Sequence, residues 1–175
     1  MERVYSVWSI FDEADEKYLS SIVADFNKGY RTDYFRPHIT LFGNITAPED
    51  FLKEAIEEAA EGVSPFTVML KDVEYSPEWS KTFYMQFAES PELQRIYEEL
   101  KDKFKGIADY SFDPHASLIY KTDMTEEQKL AERQHLHLKK KYKMSGLVLA
   151  TPDHQKEKWI DVASWKIPYE RQFGR

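Results

Sequence analysis

Two tetrapeptides of a single pattern, Pro37-His38-Ile39-Thr40 and Pro114-His115-Ala116-Ser117, stand far apart in this chain. In each, a proline leads, a histidine and a hydroxyl residue are two positions apart, and an apolar run follows. In an extended strand, residues two apart share one face, so each tetrapeptide presents an imidazole and a hydroxyl side by side. A three-residue pattern of this kind means little alone. Two copies at matching points require a chain built from two similar halves.

The remaining sequence supplies those halves. Val4 to Phe11 alternates and reads as a strand; an acidic Asp12-Glu13 start opens a helical pattern through Phe26, with Gly29 as its stop. A strand from His38 to Ile45 follows, and Thr46 with Glu49 has capping-box spacing for a helix ending near Gly62. Phe66 to Tyr75 and Thr82 to Ala88 read as a hairpin joined through Ser76-Pro77-Glu78. Ser90 and Pro91 open a helix with Leu93, Ile96, Tyr97, Leu100 and Phe104 on one face, ending near Gly106. The strand His115 to Tyr120 comes next, then a Thr125–Gln128 capping box, a helix to about Leu138, and strands Tyr142 to Thr151 and Trp159 to Ile167. The order predicts an α+β domain over residues 1–175, with a mixed sheet, helices outside and a concave inner face.

Composition narrows the function. With 42% hydrophobic and 31% charged residues, 175 residues suffice for the core of a single domain. No apolar run is long enough for a membrane span and no signal-peptide pattern opens the chain. The absence of cysteine excludes disulfides and thiolate metal sites. A cytoplasmic monomer is expected. The net charge of -7 argues against wrapping a long nucleic acid, whose affinity comes from many Lys and Arg contacts to phosphate, and leaves a short anionic ligand. The Lys139-Lys140-Lys141 cluster reads as a solvated loop.

Two imidazoles across a cleft offer an acid and a base near neutral pH, and the paired hydroxyls of Thr40 and Ser117 can donate to phosphate oxygens. In-line displacement at phosphorus needs that set, with one histidine deprotonating water and the other protonating the departing sugar oxygen. Neither a metal nor a cofactor is expected, because hydroxyl donors can carry the equatorial charge. There is no Gly-rich phosphate loop and no Gly-x-Ser-x-Gly elbow. His135 and His137 fall about 200° apart on the predicted helix and cannot chelate one metal from one face. His154 reads as a loop residue, Arg36 as an exposed arginine with no required role, and the acidic Glu54–Glu58 stretch as a solvated face.

The two motifs, with the opening Tyr5-Ser6-Val7-Trp8 and the closing Leu118-Ile119-Tyr120, resemble the 2H phosphoesterase superfamily, and within it the plant and yeast type of cyclic nucleotide phosphodiesterase. The resemblance implies a bilobal fold of two antiparallel or mixed sheets lining a central cleft, with pseudo-twofold symmetry. It implies hydrolysis of small ribose cyclic phosphates, ADP-ribose 1'',2''-cyclic phosphate or nucleoside 2',3'-cyclic phosphates to 2'-phosphates. His38 and His115 would be the acid/base pair, Thr40 and Ser117 the phosphate binders, and Tyr120 and Trp8 the pocket lining. Plant members carry cysteines that this chain lacks, so no redox regulation carries over. An RNA-end or 2'-5' phosphodiesterase or ligase of the same superfamily, and a catalytically silent nucleotide-binding module, are the alternatives. Tyr120 lies three positions beyond Ser117 and reaches the cleft only if its strand bends or ends there. Trp8 suits stacking and core packing equally, and Phe42 shares the parity of His38 and Thr40.

Overall fold

The computed structural model describes residues 3–120, 123–153 and 162–174. Among these, β1 (Tyr5–Phe11), α1 (Glu13–Tyr30), β2 (His38–Ile45), α2 (Glu49–Ala60) and β3 (Phe66–Tyr75) precede a 3-10 turn at Trp79–Lys81. Then come β4 (Phe83–Phe87), α3 (Pro91–Lys103), β5 (His115–Ile119), α4 (Glu126–His135), β6 (Lys141–Thr151), a 3-10 turn at Val162–Ser164, and β7 (Lys166–Gln172). None of these helices is long and apolar enough to cross a membrane.

The strand order is β2-β1-β6-β3-β4-β5, with β7 paired to β6. Every pairing among the described residues is antiparallel, so of the antiparallel or mixed arrangements expected the antiparallel one forms, and not the mixed sheet that the element order suggested. The reason lies in the connections: β1-α1-β2 and β4-α3-β5 each return to the adjacent position, while α2 and α4 each lead from an outer strand to a central one. A twofold operation exchanging β2 with β5, β1 with β4, and β6 with β3 therefore maps one half on the other. The lobes join where Phe66–Met69 of β3 pairs with Met144–Lys141 of β6, the rest of β3 pairing with β4. The two outer strands, β2 and β5, also pack against each other, so the sheet curls until the strands carrying the two motifs meet.

The helices cover one face. Leu19, Val23 and Phe26 of α1, Leu52 and Ile56 of α2, and Leu93, Ile96 and Leu100 of α3 pack with Val7, Phe11, Ile39, Phe83, Met85 and Leu118 in the main core. Trp8, Ile10, Val148 and Ala150 form a separate cluster with Trp165 and Ile167. The parity of β1 thus divides its residues between two layers.

Several boundaries differ from the sequence reading. The first helix passes Gly29 and ends at Tyr30, where Arg31 adopts the left-handed conformation (φ 56°) and donates its N–H to the Asn27 carbonyl. Thr46 does not cap α2: Pro48 is its N-cap (φ -58°, ψ 136°), starting the helix beyond the reach of a Thr46 cap. The Ser90 cap with Pro91 at the first turn and the Thr125–Gln128 capping box form as read. The last strand begins at Lys166 instead of within Trp159–Ile167; residues 159–161 lie outside the described ones. Pro168 is tolerated there because, among the described residues, β7 pairs with β6 alone.

Gly146 ties β7 to the sheet. A Cβ at this position would stand 2.5 Å from the Arg171 carbonyl oxygen, a backbone atom that cannot swing aside. Gly146→Ala is therefore expected to push β7 off β6 and cost about 1–3 kcal/mol, read by urea denaturation. An unchanged midpoint would show that the close approach is relieved without cost.

Candidate active site

Each motif is fixed by the same local rule. A residue before proline is held extended, and in both tetrapeptides the carbonyl of that residue meets the histidine ring. His38 Nδ1 lies 2.7 Å from the Arg36 carbonyl oxygen and His115 Nδ1 lies 2.8 Å from that of Asp113. A carbonyl only accepts, so each neutral ring carries its proton on Nδ1 and keeps the Nε2 lone pair for the site.

The cross-strand neighbours repeat as well. Trp8 opposes Thr40 on the β1–β2 pair and stacks on His38, with ring centroids 3.7 Å apart and planes at 9°. Tyr84 opposes Ser117 on the β4–β5 pair and meets His115 edge-on at 5.5 Å. Tyr84 is the second lobe's counterpart of Trp8. Sequence reasoning missed it, although superposing the halves would have shown it: each aromatic stands three residues before the phenylalanine that ends its strand.

The two rings sense one another. Burial pushes the His38 imidazole down to about 4; its bond to the Arg36 carbonyl opposes that, and the charges of His115 and Arg36 push further down. Burial also lowers His115, against the pull of the Asp113 carbonyl, while Lys81 lowers it and the carboxylates of Asp113 and Glu78 raise it. A neutral, buried His38 gives stability that is fully present above about pH 6.5 and is lost as pH falls through about 4, because only the unfolded chain binds its proton in that window. The loss is expected to reach about 3 kcal/mol. Urea titrations at pH 7.5 and 4.5 test this, and a His38→Gln variant with an undiminished pH slope would contradict it.

The hydroxyls are not equivalent. Ser117 is buried and donates to the Ser80 carbonyl at 2.7 Å, whereas Thr40 is half-buried and engaged in no side-chain hydrogen bond among the described residues. Tyr120 follows immediately after β5 ends, which releases it from strand parity. It stacks on Trp79 at 4.8 Å and meets Phe35 at 4.4 Å; burial pushes its phenol up to about 12, partly offset by a hydrogen bond with Ser117. His38, Thr40, Trp8 and, across the seam, His115, Ser117 and Tyr120 are thus brought to one place.

Phe42 is not with them. On β2, two residues are spent between the pairs Trp8↔Thr40 and Val7↔Phe42 against one on β1, and this bulge turns Phe42 into the main core against Phe104 and Tyr110. Arg36 is held by Glu16 and Glu170. His135 ends α4 with its Nδ1 2.7 Å from the Ala131 carbonyl, and His137 lies beyond the helix, not on it. Lys139 of the basic cluster pairs with Asp15, and His154 lies outside the described residues. No three His, Asp or Glu among the described residues converge to hold a metal ion. Sequence reading also passed over Lys81, Asp113 and Trp79; for Asp113 the available signal was its equivalence to Arg36.

An antiparallel sheet of two pseudo-symmetric lobes, with a His-x-Thr/Ser strand from each meeting at a seam, defines the class to which this chain is assigned. The family model of the 2'-5' RNA ligase superfamily matches residues 11–153, and the chain belongs to that superfamily, the 2H phosphoesterases. The cyclic phosphodiesterase of Arabidopsis thaliana is 26% identical over 126 residues, 72% of this chain and 69% of that protein. The fold is similar to the crystal structure of Escherichia coli LigT complexed with 3'-AMP (TM-score 0.65, 11% identity, 100% of both chains). It is equally similar to TT0787 of Thermus thermophilus (TM-score 0.65, 13% identity, 97% of both chains).

Proposed function

We propose that this chain hydrolyses small ribose cyclic phosphates, nucleoside 2',3'-cyclic phosphates to 2'-phosphates and ADP-ribose 1'',2''-cyclic phosphate, by metal-independent catalysis with two histidines. The observation that carries the reading is the matched tethering of His38 and His115, which leaves two Nε2 atoms in one electrostatically coupled site. One Nε2 takes the proton of an attacking water as its oxygen bonds to phosphorus, and the other gives a proton to the ribose oxygen as its bond to phosphorus breaks. Thr40 donates to a phosphate oxygen from its unengaged hydroxyl. Ser117 does so once its proton turns from the Ser80 carbonyl. Trp8 holds the His38 ring and Tyr120 closes the pocket beside Ser117.

Likeness to a curated cyclic phosphodiesterase supports the substrate class. The net charge of -7 favours small ligands over long nucleic acid. The test is steady-state hydrolysis, in EDTA, of ADP-ribose 1'',2''-cyclic phosphate, the four nucleoside 2',3'-cyclic phosphates and a short 2'-5' oligonucleotide, with the product phosphate placed by NMR. Turnover of cyclic phosphates in EDTA is the expected result. Turnover of the oligonucleotide alone moves the chain to RNA-end processing, and activity that EDTA abolishes and a metal restores overturns the metal-free step.

A further inference from the structure

The two histidines are equivalent in backbone and unequal in charge. Two residues before each stands the residue whose carbonyl accepts a hydrogen bond from Nδ1–H, and this is Arg36 in one motif and Asp113 in the other. The Arg36 guanidinium is fastened by Glu16 at 2.9–3.0 Å and Glu170 at 3.0 Å, yet its charge still disfavours a proton on His38. The Asp113 carboxylate instead turns to its histidine, with Oδ2 3.9 Å from His115 Nδ1. Gln86 donates to its Oδ1 at 2.8 Å and the Lys81 ammonium pairs with its Oδ2.

The remaining neighbours sharpen the contrast. From the β3–β4 connection, Lys81 and Glu78 act on His115, and Tyr84 contributes its edge from β4. At His115 the carboxylates of Asp113 and Glu78 oppose the Lys81 ammonium. His38 has the cations Arg36 and His115 and the neutral face of Trp8. Burial is the first cause disfavouring a charge on either ring, and only at His115 do carboxylates stand by to offset it.

We propose that Asp113 is a positioning residue that keeps the proton of the pair on His115, making His115 the general acid and His38 the general base. The assignment rests on the hydrolase reading above. As water bonds to phosphorus its proton passes to His38 Nε2; as the phosphorus–ribose oxygen bond breaks, that oxygen takes the proton from His115 Nε2. Solvent then returns the proton from His38 to His115.

A leaving group that needs no proton separates the roles. His38→Ala and His115→Ala are assayed on a nucleoside 2',3'-cyclic phosphate and on a nucleoside p-nitrophenyl phosphodiester, whose aryl oxygen departs as the anion. The loss in His115→Ala is expected to shrink by ~10-fold or more on the aryl ester, while the loss in His38→Ala stays the same. The reverse pattern, or equal recovery, overturns the assignment.

In Asp113→Asn the alkaline limb of kcat/KM against pH is expected to move down by about half a unit or more, and Asp113→Glu to restore it. An unmoved limb removes Asp113 from the scheme. Imidazole 15N NMR titration gives a readout independent of turnover: His115 is expected to titrate above His38 and to fall in Asp113→Asn. If neither substrate is turned over, the hydrolase reading fails while this titration still decides the sorting of charge.

Discussion

His115→Ala and His38→Ala are each expected to reduce kcat on a ribose cyclic phosphate by about 10²–10⁴-fold, the usual contribution of a positioned acid or base. Neither variant has a neighbouring nitrogen side chain to stand in for the lost imidazole, since Lys81 is paired with Asp113 and Arg36 with Glu16 and Glu170. In the proposed mechanism both histidines serve one displacement and act as a unit, so the double variant should lose much less than the product of the single losses. His38 is buried and stacked, so His38→Ala also creates a space beside Trp8, and His38→Gln is the partner variant that fills most of it. Circular dichroism and urea midpoints measured beside single-turnover rates separate chemistry from unfolding. Rates within a few-fold of wild type in both folded variants would leave the seam as a binding site only.

Much of this site was legible because its logic is local. Proline before each histidine and the two-residue spacing in a strand are properties of the chain alone, and the structure adds that both rings bond the carbonyl two residues back. The Ser90 and Thr125 caps are likewise local and formed as read. What escaped depends on pairing. Phe42 has the parity of a site residue until the bulge opposite Val7 and Trp8 reverses it, and a bulge is set by the partner strand. Lys81 and Trp79 reach the site because the β3–β4 connection folds over β5, with Ser80 accepting from Ser117. The choice between antiparallel and mixed strands was open for the same reason: strand–helix–strand order alone suggests a parallel crossover, and the return of each helix to the adjacent strand position selects the antiparallel arrangement.

Trp8→Ala is expected to cost about 3–5 kcal/mol and to alter the pH dependence of the reaction. Trp8 is 4% exposed, stacks on His38 and, at 5.3 Å, on Trp165, and donates from Nε1 to Ser6 Oγ at 3.0 Å. Ser6 Oγ in turn donates to the Phe42 carbonyl at 2.9 Å, so the indole anchors the serine that holds the bulged stretch of β2. Deleting the ring uncovers one face of His38 and admits water to an imidazole whose depression comes first from burial. Its pKa then rises toward the ordinary value, and the acidic limb of kcat/KM should move to higher pH. Trp8→Phe retains a stacking face and loses the Nε1 donor, so it should keep most of the stability and leave the limb nearly in place. Urea denaturation and pH–rate profiles of the two variants decide the matter: a Trp8→Ala protein within about 1 kcal/mol of wild type, with an unmoved acidic limb, would mean that the stack neither supports the fold nor sets the environment of His38.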